Sequence, residues 1–328
     1  GSKYSSTLSQ PKYRVEGSRP DLNMDPEEIN TDTVYQTLHI TLGTAEYGLD
    51  TKKLHDQIME AYNTNLFRVV GEMTMVSPQA LDLEALYAEL CVAPMTSTDI
   101  YGEPKLAELL RELCKIEKLH WIRTLYTYPD KITDELIETI KTEEKLVKYL
   151  DIPLQHINDN ILKRMNRRSR RADIEDVIEK LRREIPEITI RTTFITGFPG
   201  ETDEEFTELH EFIKETRFDR LGCFTYSAEE NTPAAEFDNQ VEEQLKADRL
   251  DAIMSDQMTI STEKTNEKIG KICEVLIEGW DDYIKCYFGR TAADAPEIDG
   301  KIFFMAEKPL KIGEFVNVEI TDSIEYDL

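Results

Sequence analysis

Between residues 90 and 226, short β-branched or aromatic runs alternate with amphipathic stretches, and few folds accept that rhythm. Strands are expected over 90–93, 121–126, 146–154, 189–195 and 221–226. Helices are expected between them. Leu106, Leu109, Leu110 and Leu113 recur at helical spacing within 104–116. A second helix spans 133–141, with Thr133 as its N-cap, and a third spans 172–184 and stops before Pro186. The stretch 202–216 opens on Asp203, Glu204 and Glu205, acidic residues that suit the positive end of a helix dipole. Residues 240–268 read as one long helix or a helix pair. Strands that alternate with helices pair in parallel, so the expected fold class is α/β, a barrel or open partial (β/α) barrel of about six units. Chemistry in such folds sits at the C-terminal ends of the strands.

The flanks differ. Residues 1–32 are polar and read as an irregular arm, with Gly1 and Ser2 set aside as a tag remnant. A strand is expected over 33–42, then a helix over 52–62, a strand over 66–70 and a helix over 81–89. After Gly270, short strands at 272–277, 283–288, 302–305 and 315–320 are separated by turn residues, which predicts a small antiparallel β-barrel. The expected domains are therefore an α/β barrel at 33–261 and a β-barrel at 262–328.

Charge narrows the partners. Lys and Arg number 39 against 65 Asp and Glu, a net of −26. Such a surface repels nucleic-acid phosphate and would speed the encounter with a basic protein, though it also serves solubility. Residues 262–328 alone hold 15 acidic and 8 basic residues. No apolar run is long enough for a membrane span. Cys91, Cys114, Cys223, Cys273 and Cys286 are scattered, with no C-x-x-C pair, which suits a reducing cytoplasm and small buried thiols.

Two segments at expected strand ends could hold a ligand. Thr196-Gly197-Phe198-Pro199-Gly200-Glu201-Thr202 joins a strand to a helix, where backbone N–H groups can face a ligand, or it is an ordinary turn. Asp151-Ile152-Pro153-Leu154-Gln155-His156 ends another strand, and His156 is either a site group or a satisfied core histidine. Arg123 and Arg191 lie within strands and need partners, either a carboxylate-bearing ligand or a structural ion pair. The run from Arg164 to Arg171 (RMNRRSRR) is a strongly basic patch, either a nucleic-acid contact or a solvated loop.

The blocks YGEPKLAELLREL (101–113), WIRTLYTYPDKITDEL (121–136), YLDIPLQHINDNILKRM (149–165), RTTFITGFPGET (191–202), RFDRLGCFTYSAEENTPAA (217–235) and GRTAADAPEIDG (289–300) resemble the radical-SAM methylthiotransferases. Within that family the chain is similar to the branch that modifies an aspartate of the small-subunit ribosomal protein S-twelve. The resemblance implies a radical-SAM partial TIM-like barrel, then a TRAM-like β-barrel. It implies S-adenosylmethionine and a [4Fe-4S] cluster as cofactors. By motif, Gln155, Arg191, Thr193, Thr196 and Gly197 would line the S-adenosylmethionine pocket. The implied partner is a basic small-subunit ribosomal protein, met through the acidic TRAM-like domain, with nucleic acid disfavoured. The family's sulfur-supplying N-terminal domain has no counterpart in these blocks.

One motif of the family is missing. After Gly43 the cluster cysteines would occupy Thr44, Gly48 and Thr51. Threonine offers a hard neutral oxygen and glycine no side chain, so neither replaces thiolate on iron. Two readings stay open: a methylthiotransferase, or a clusterless scaffold, engineered, degenerate or misassigned at those positions, that binds the ribosomal protein without turnover. A tRNA-modifying enzyme is a third.

Overall fold

A computed structural model of the chain describes residues 37–42, 89–94, 106–116, 119–229, 232–296 and 298–328, the first two segments by strand pairing alone. The expected elements at 52–62, 66–70 and 81–89, the arm at 1–32, and Thr44, Gly48 and Thr51 lie outside the described residues.

The described residues form two compact units. One gathers those up to Tyr126 with 134–148 and 272–318, the other 127–133, 149–271 and 319–328. In the first, β1 (Thr37–Leu42) pairs in parallel with β2 (Glu89–Pro94), and β2 with β3 (Trp121–Thr124). Helix α1 (Leu106–Cys114) buries Ala107, Leu109, Leu110 and Leu113, the stripe that the leucine spacing predicts. Helix α2 (Asp134–Thr142) starts one residue after Thr133 and buries Leu136, Ile137 and Ile140. Strand β4 (Leu146–Gln155) begins in this unit and ends in the other. In the second unit α3 (Asp159–Arg164), α4 (Arg171–Glu184), β5 (Thr189–Thr196), α5 (Asp203–Thr216), β6 (Arg220–Thr225) and α6 (Glu243–Asn266) follow. Strands β4, β5 and β6 pair in parallel, and β1 to β6 follow chain order in one TIM-like parallel sheet.

Two details depart from expectation. The short helix α3 was not foreseen. The Asn158 side chain caps it, accepting from the N–H groups of Asn160 and Ile161. The segment expected as one long helix or a helix pair is one helix, α6, and its buried face is largely polar, with Lys246, Arg249, Gln257, Ser261 and Thr265 among Ile253 and Ile260. The second departure concerns the small sheet, built from β7 (Ile272–Asp281), β8 (Cys286–Thr291), β9 (Ile302–Phe304) and β10 (Phe315–Glu319) in the order β10-β7-β8-β9. The strand expected at 283–288 begins only at Cys286. Asp281 accepts from the N–H groups of Tyr283 and Ile284 and so bends the chain there, and Lys285 is left-handed (φ 55). Pairing of β7 with β8 and β8 with β9 is antiparallel. No described helix is long and apolar enough to cross a membrane.

Candidate ligand site at the ends of three strands

Side chains alternate along β5, and the alternation builds the site. Ile190, Thr192, Phe194 and Thr196 are buried, whereas Arg191, Thr193 and Ile195 are half-buried. Phe194 packs edge-on against Phe212 of α5 and against Phe218, with ring centroids 6.5 and 5.8 Å away, so its face is the helix-covered one. Arg191 and Thr193 therefore lie on the opposite face. The register sets Asp151 of β4 beside Arg191. Arg191 Nη1 donates to Asp151 Oδ1 at 3.0 Å and to Thr193 Oγ1 at 3.3 Å. Across on β6, Gly222 stands opposite Thr193. A Cβ there would come 3.6 Å from Arg191 Nη2 and 4.0 Å from Thr193 Oγ1, so the glycine leaves space above these polar groups. Phe224, opposite Ile195, is 60% exposed. The face thus combines a polar floor, an open position and an uncovered aromatic ring.

Gln155 closes β4 beyond a break in register and is left-handed (φ 70). Its side-chain Oε1 is buried and has no hydrogen-bond partner among the described residues. An unpaired buried amide oxygen costs about 1–3 kcal/mol, and a left-handed non-glycine residue is strained by a similar amount. A polar ligand group at that position would satisfy the oxygen.

The glycine turn is organised differently from expectation. Thr196 is fully buried, and its hydroxyl donates to the Lys246 carbonyl oxygen on α6 at 3.2 Å. Gly197 is left-handed (φ 71), and a Cβ there would fall 2.2 Å from Lys246 Cγ, so only glycine fits. The Gly197 N–H donates to both carboxylate oxygens of Glu201 at 3.1 Å. At the start of α5 a capping box has Thr202 and Glu205 satisfy each other's N–H groups. The N–H groups of Gly197, Thr202 and Glu205 are thus engaged within the protein. Arg191 and Thr193 share one face of β5, Gln155 ends β4 with Phe194 as its register partner, and Thr196 and Gly197 pack on α6.

Glu201 joins these parts, and sequence reading gave it no role. Its side chain is fully buried, and Arg249 Nη1 of α6 donates to its Oε1 at 2.7 Å. His156 Nε2 stands 3.4 Å from Oε2, at an orientation short of a hydrogen bond. His156 Nδ1 accepts from the Asn158 N–H at 3.0 Å, so in the neutral ring the proton sits on Nε2 and faces Glu201. His156 is a buried structural group.

The other candidates resolve simply. Arg123 is fully buried and donates to the carbonyl oxygens of Ala292 (2.9 Å) and Thr291 (3.4 Å), so it clasps the block 289–300. In the basic run, Arg164 packs on the rings of Phe198 and Phe237, Arg167 bonds the Pro153 carbonyl oxygen, Arg170 bonds those of Arg167 and Ser169, and Arg171 pairs with Glu175 and Glu208. Those guanidinium groups are spent inside the protein. Burial pushes the Cys114 and Cys223 thiols up to about 12, Glu143 adding to the first and Glu201 to the second. Neither is poised as a thiolate. Among the described residues no cluster of three His, Cys, Asp or Glu could hold a metal ion.

Residues 91–213 match the Radical SAM superfamily and residues 269–328 the TRAM domain. The ribosomal protein uS12 methylthiotransferase RimO of Clostridium novyi is 54% identical over 231 residues, covering 70% of this chain and 52% of the relative. That of Thermoanaerobacter sp. is 52% identical over 230 residues, again 70% of this chain and 52% of the relative. The chain spans about half the length of the relatives it matches. Among solved structures, coproporphyrinogen III oxidase (HemN) from Escherichia coli, described as a Radical SAM enzyme, has a TM-score of 0.47 at 17% identity, covering 71% of this chain and 55% of that chain.

Proposed function

We propose, for a chain whose residues 91–213 belong to the Radical SAM superfamily and whose residues 269–328 are a TRAM domain, that it serves methylthio transfer to the small-subunit ribosomal protein uS12 and holds S-adenosylmethionine on the β4–β6 face. The 54% identity to a uS12 methylthiotransferase supports the reaction class and the substrate. The Gln155 Oε1, buried and unbonded among the described residues, and the open position at Gly222 carry the ligand reading. Gln155 would bond a polar group of the ligand, Arg191 and Thr193 would meet its charged end, and Thr196 and Gly197 would shape the edge through their packing on α6. In the superfamily, S-adenosylmethionine cleaved at a [4Fe-4S] cluster supplies a radical, and the protein contributes binding and orientation.

The ligand fits these residues and the cluster does not. Thr44, Gly48 and Thr51 offer no thiolate, and the cysteines stand singly along the chain. That donor set favours a second reading: a clusterless frame that binds the adenosyl ligand and the ribosomal protein without turnover. The tRNA reading loses support, because four of the five arginines of the basic run are engaged within the protein and only Arg168 among them is turned to solvent. The partner surface is taken as the acidic 262–328 segment, supported by its charge balance, and the setting as the cytoplasm. Residues 33–261 are taken as the barrel part, a division supported by the change from parallel pairing at β6 to antiparallel pairing at β7.

Anaerobic reconstitution with iron and sulfide, followed by an iron count and a uS12 modification assay, separates the two readings. About four irons per chain and a methylthiolated product would establish the transferase. No iron, with the adenosyl ligand and uS12 still bound, would establish the frame. Failure to bind either would end both.

A further inference from the structure

We propose that Glu201 is the positioning residue of the ligand face: one buried carboxylate bonds the end of β5 and packs against His156 at the end of β4, where the adenosyl ligand is held. The inference rests on the ligand reading above.

A fully buried carboxylate needs compensation. Arg249 supplies the opposite charge at 2.7 Å. The remaining contacts go elsewhere. Gly197 N–H, at the end of β5, spans both carboxylate oxygens. His156, at the end of β4, faces Oε2 at 3.4 Å. Each contact sits at or next to a left-handed residue: Gly197 itself (φ 71), and Gln155 (φ 70), the immediate neighbour of His156. Such conformations persist only where the surroundings hold them. Arg249 in turn is fixed by Asp203 Oδ1 at 2.7 Å and by the Glu201 carbonyl oxygen at 3.3 Å, so the carboxylate is held from α6 and from the start of α5. Fully buried, Glu201 acts through its neighbours. It sets where Gln155 Oε1 points and where the Gly197 turn stands.

A merely structural ion pair would stabilise the unit without selective effect on binding. The test measures S-adenosylhomocysteine affinity by titration calorimetry, and folding by urea denaturation, for the whole chain and for Glu201→Gln, Glu201→Leu and the core control Phe212→Leu. Glutamine still accepts from Gly197 N–H, and leucine cannot. The expected order is a loss of less than about tenfold for Glu201→Gln and more than about tenfold for Glu201→Leu, with Phe212→Leu destabilised but binding as the unaltered chain does. If Glu201→Leu does not fold, Glu201→Asp carries the test: its charge remains and its reach shortens, so affinity falls at a near-normal urea midpoint. Unchanged affinity in the folded Glu201 variants, or a control that loses affinity in step with its stability, overturns the inference. An unaltered chain that binds no ligand overturns the ligand reading and this inference together.

Discussion

At the scale of single residues, the β4–β6 face turns on a few atoms whose environments make opposite demands. Gln155 places an amide oxygen where nothing among the described residues bonds it. Gln155→Met should therefore leave stability unchanged or slightly raised, while affinity for S-adenosylhomocysteine falls by about tenfold, the value of one lost hydrogen bond to a charged or polar ligand. Calorimetry paired with urea denaturation checks both halves. Gly197→Ala should cost about 2–4 kcal/mol, because a Cβ meets Lys246 and the left-handed backbone disfavours alanine. Cys223 gives a pH signature. Its thiol is raised in the folded protein, from 9.0 to about 12, so the neutral form is favoured by folding. That contribution is complete below pH 9 and is lost as pH rises through about 12. The stability of the unaltered chain should fall relative to Cys223→Ala across that window, in urea midpoints taken at pH 8 and pH 10.5. At this scale the sequence made the places of Gln155, Arg191 and Thr193 legible, at the end of one strand and on one face of the next. Glu201 was hidden. A glutamate after a glycine turn reads as a solvent-facing helix start until Arg249, 48 residues later, is seen to pair with it.

At the scale of elements, alternation and punctuation carried most of the fold. Leucines at helical spacing placed α1, Pro186 ended α4 before β5, and the acidic turn after Thr202 opened α5. Misreadings arose where a side chain redirected the backbone locally. Asp281 turned the expected start of β8 into a hairpin loop, and Asn158 nucleated α3 within a polar stretch. The polar buried face of α6 obscured its length, since its inward groups are charged or amide side chains that find their partners only in the folded unit. Arg123 belongs to this scale as well, because it ties β3 to the block 289–300 through two carbonyl oxygens. Arg123→Leu should lower the stability of its unit by about 2–4 kcal/mol, through lost charge-assisted bonds and orphaned carbonyls. Denaturation followed by fluorescence of Trp121 and Trp280, both in that unit, reads the effect.

At the scale of the whole molecule, a parallel α/β sheet and a small antiparallel sheet sit in one strongly acidic chain. The net charge of −26 predicts that association with a basic ribosomal protein weakens steeply with salt, chiefly through the association rate. Surface plasmon resonance at two ionic strengths would show it. The central claim is narrower: the β4–β6 face holds an adenosyl ligand through this chain's own residues, whatever becomes of the iron. Equilibrium dialysis of the purified chain against radiolabelled S-adenosylmethionine, without iron or reductant, tests it most directly. The account predicts saturable binding of about one ligand per chain, displaced by S-adenosylhomocysteine and weakened in Gln155→Met. Binding that does not saturate, or that Gln155→Met leaves untouched, would contradict it.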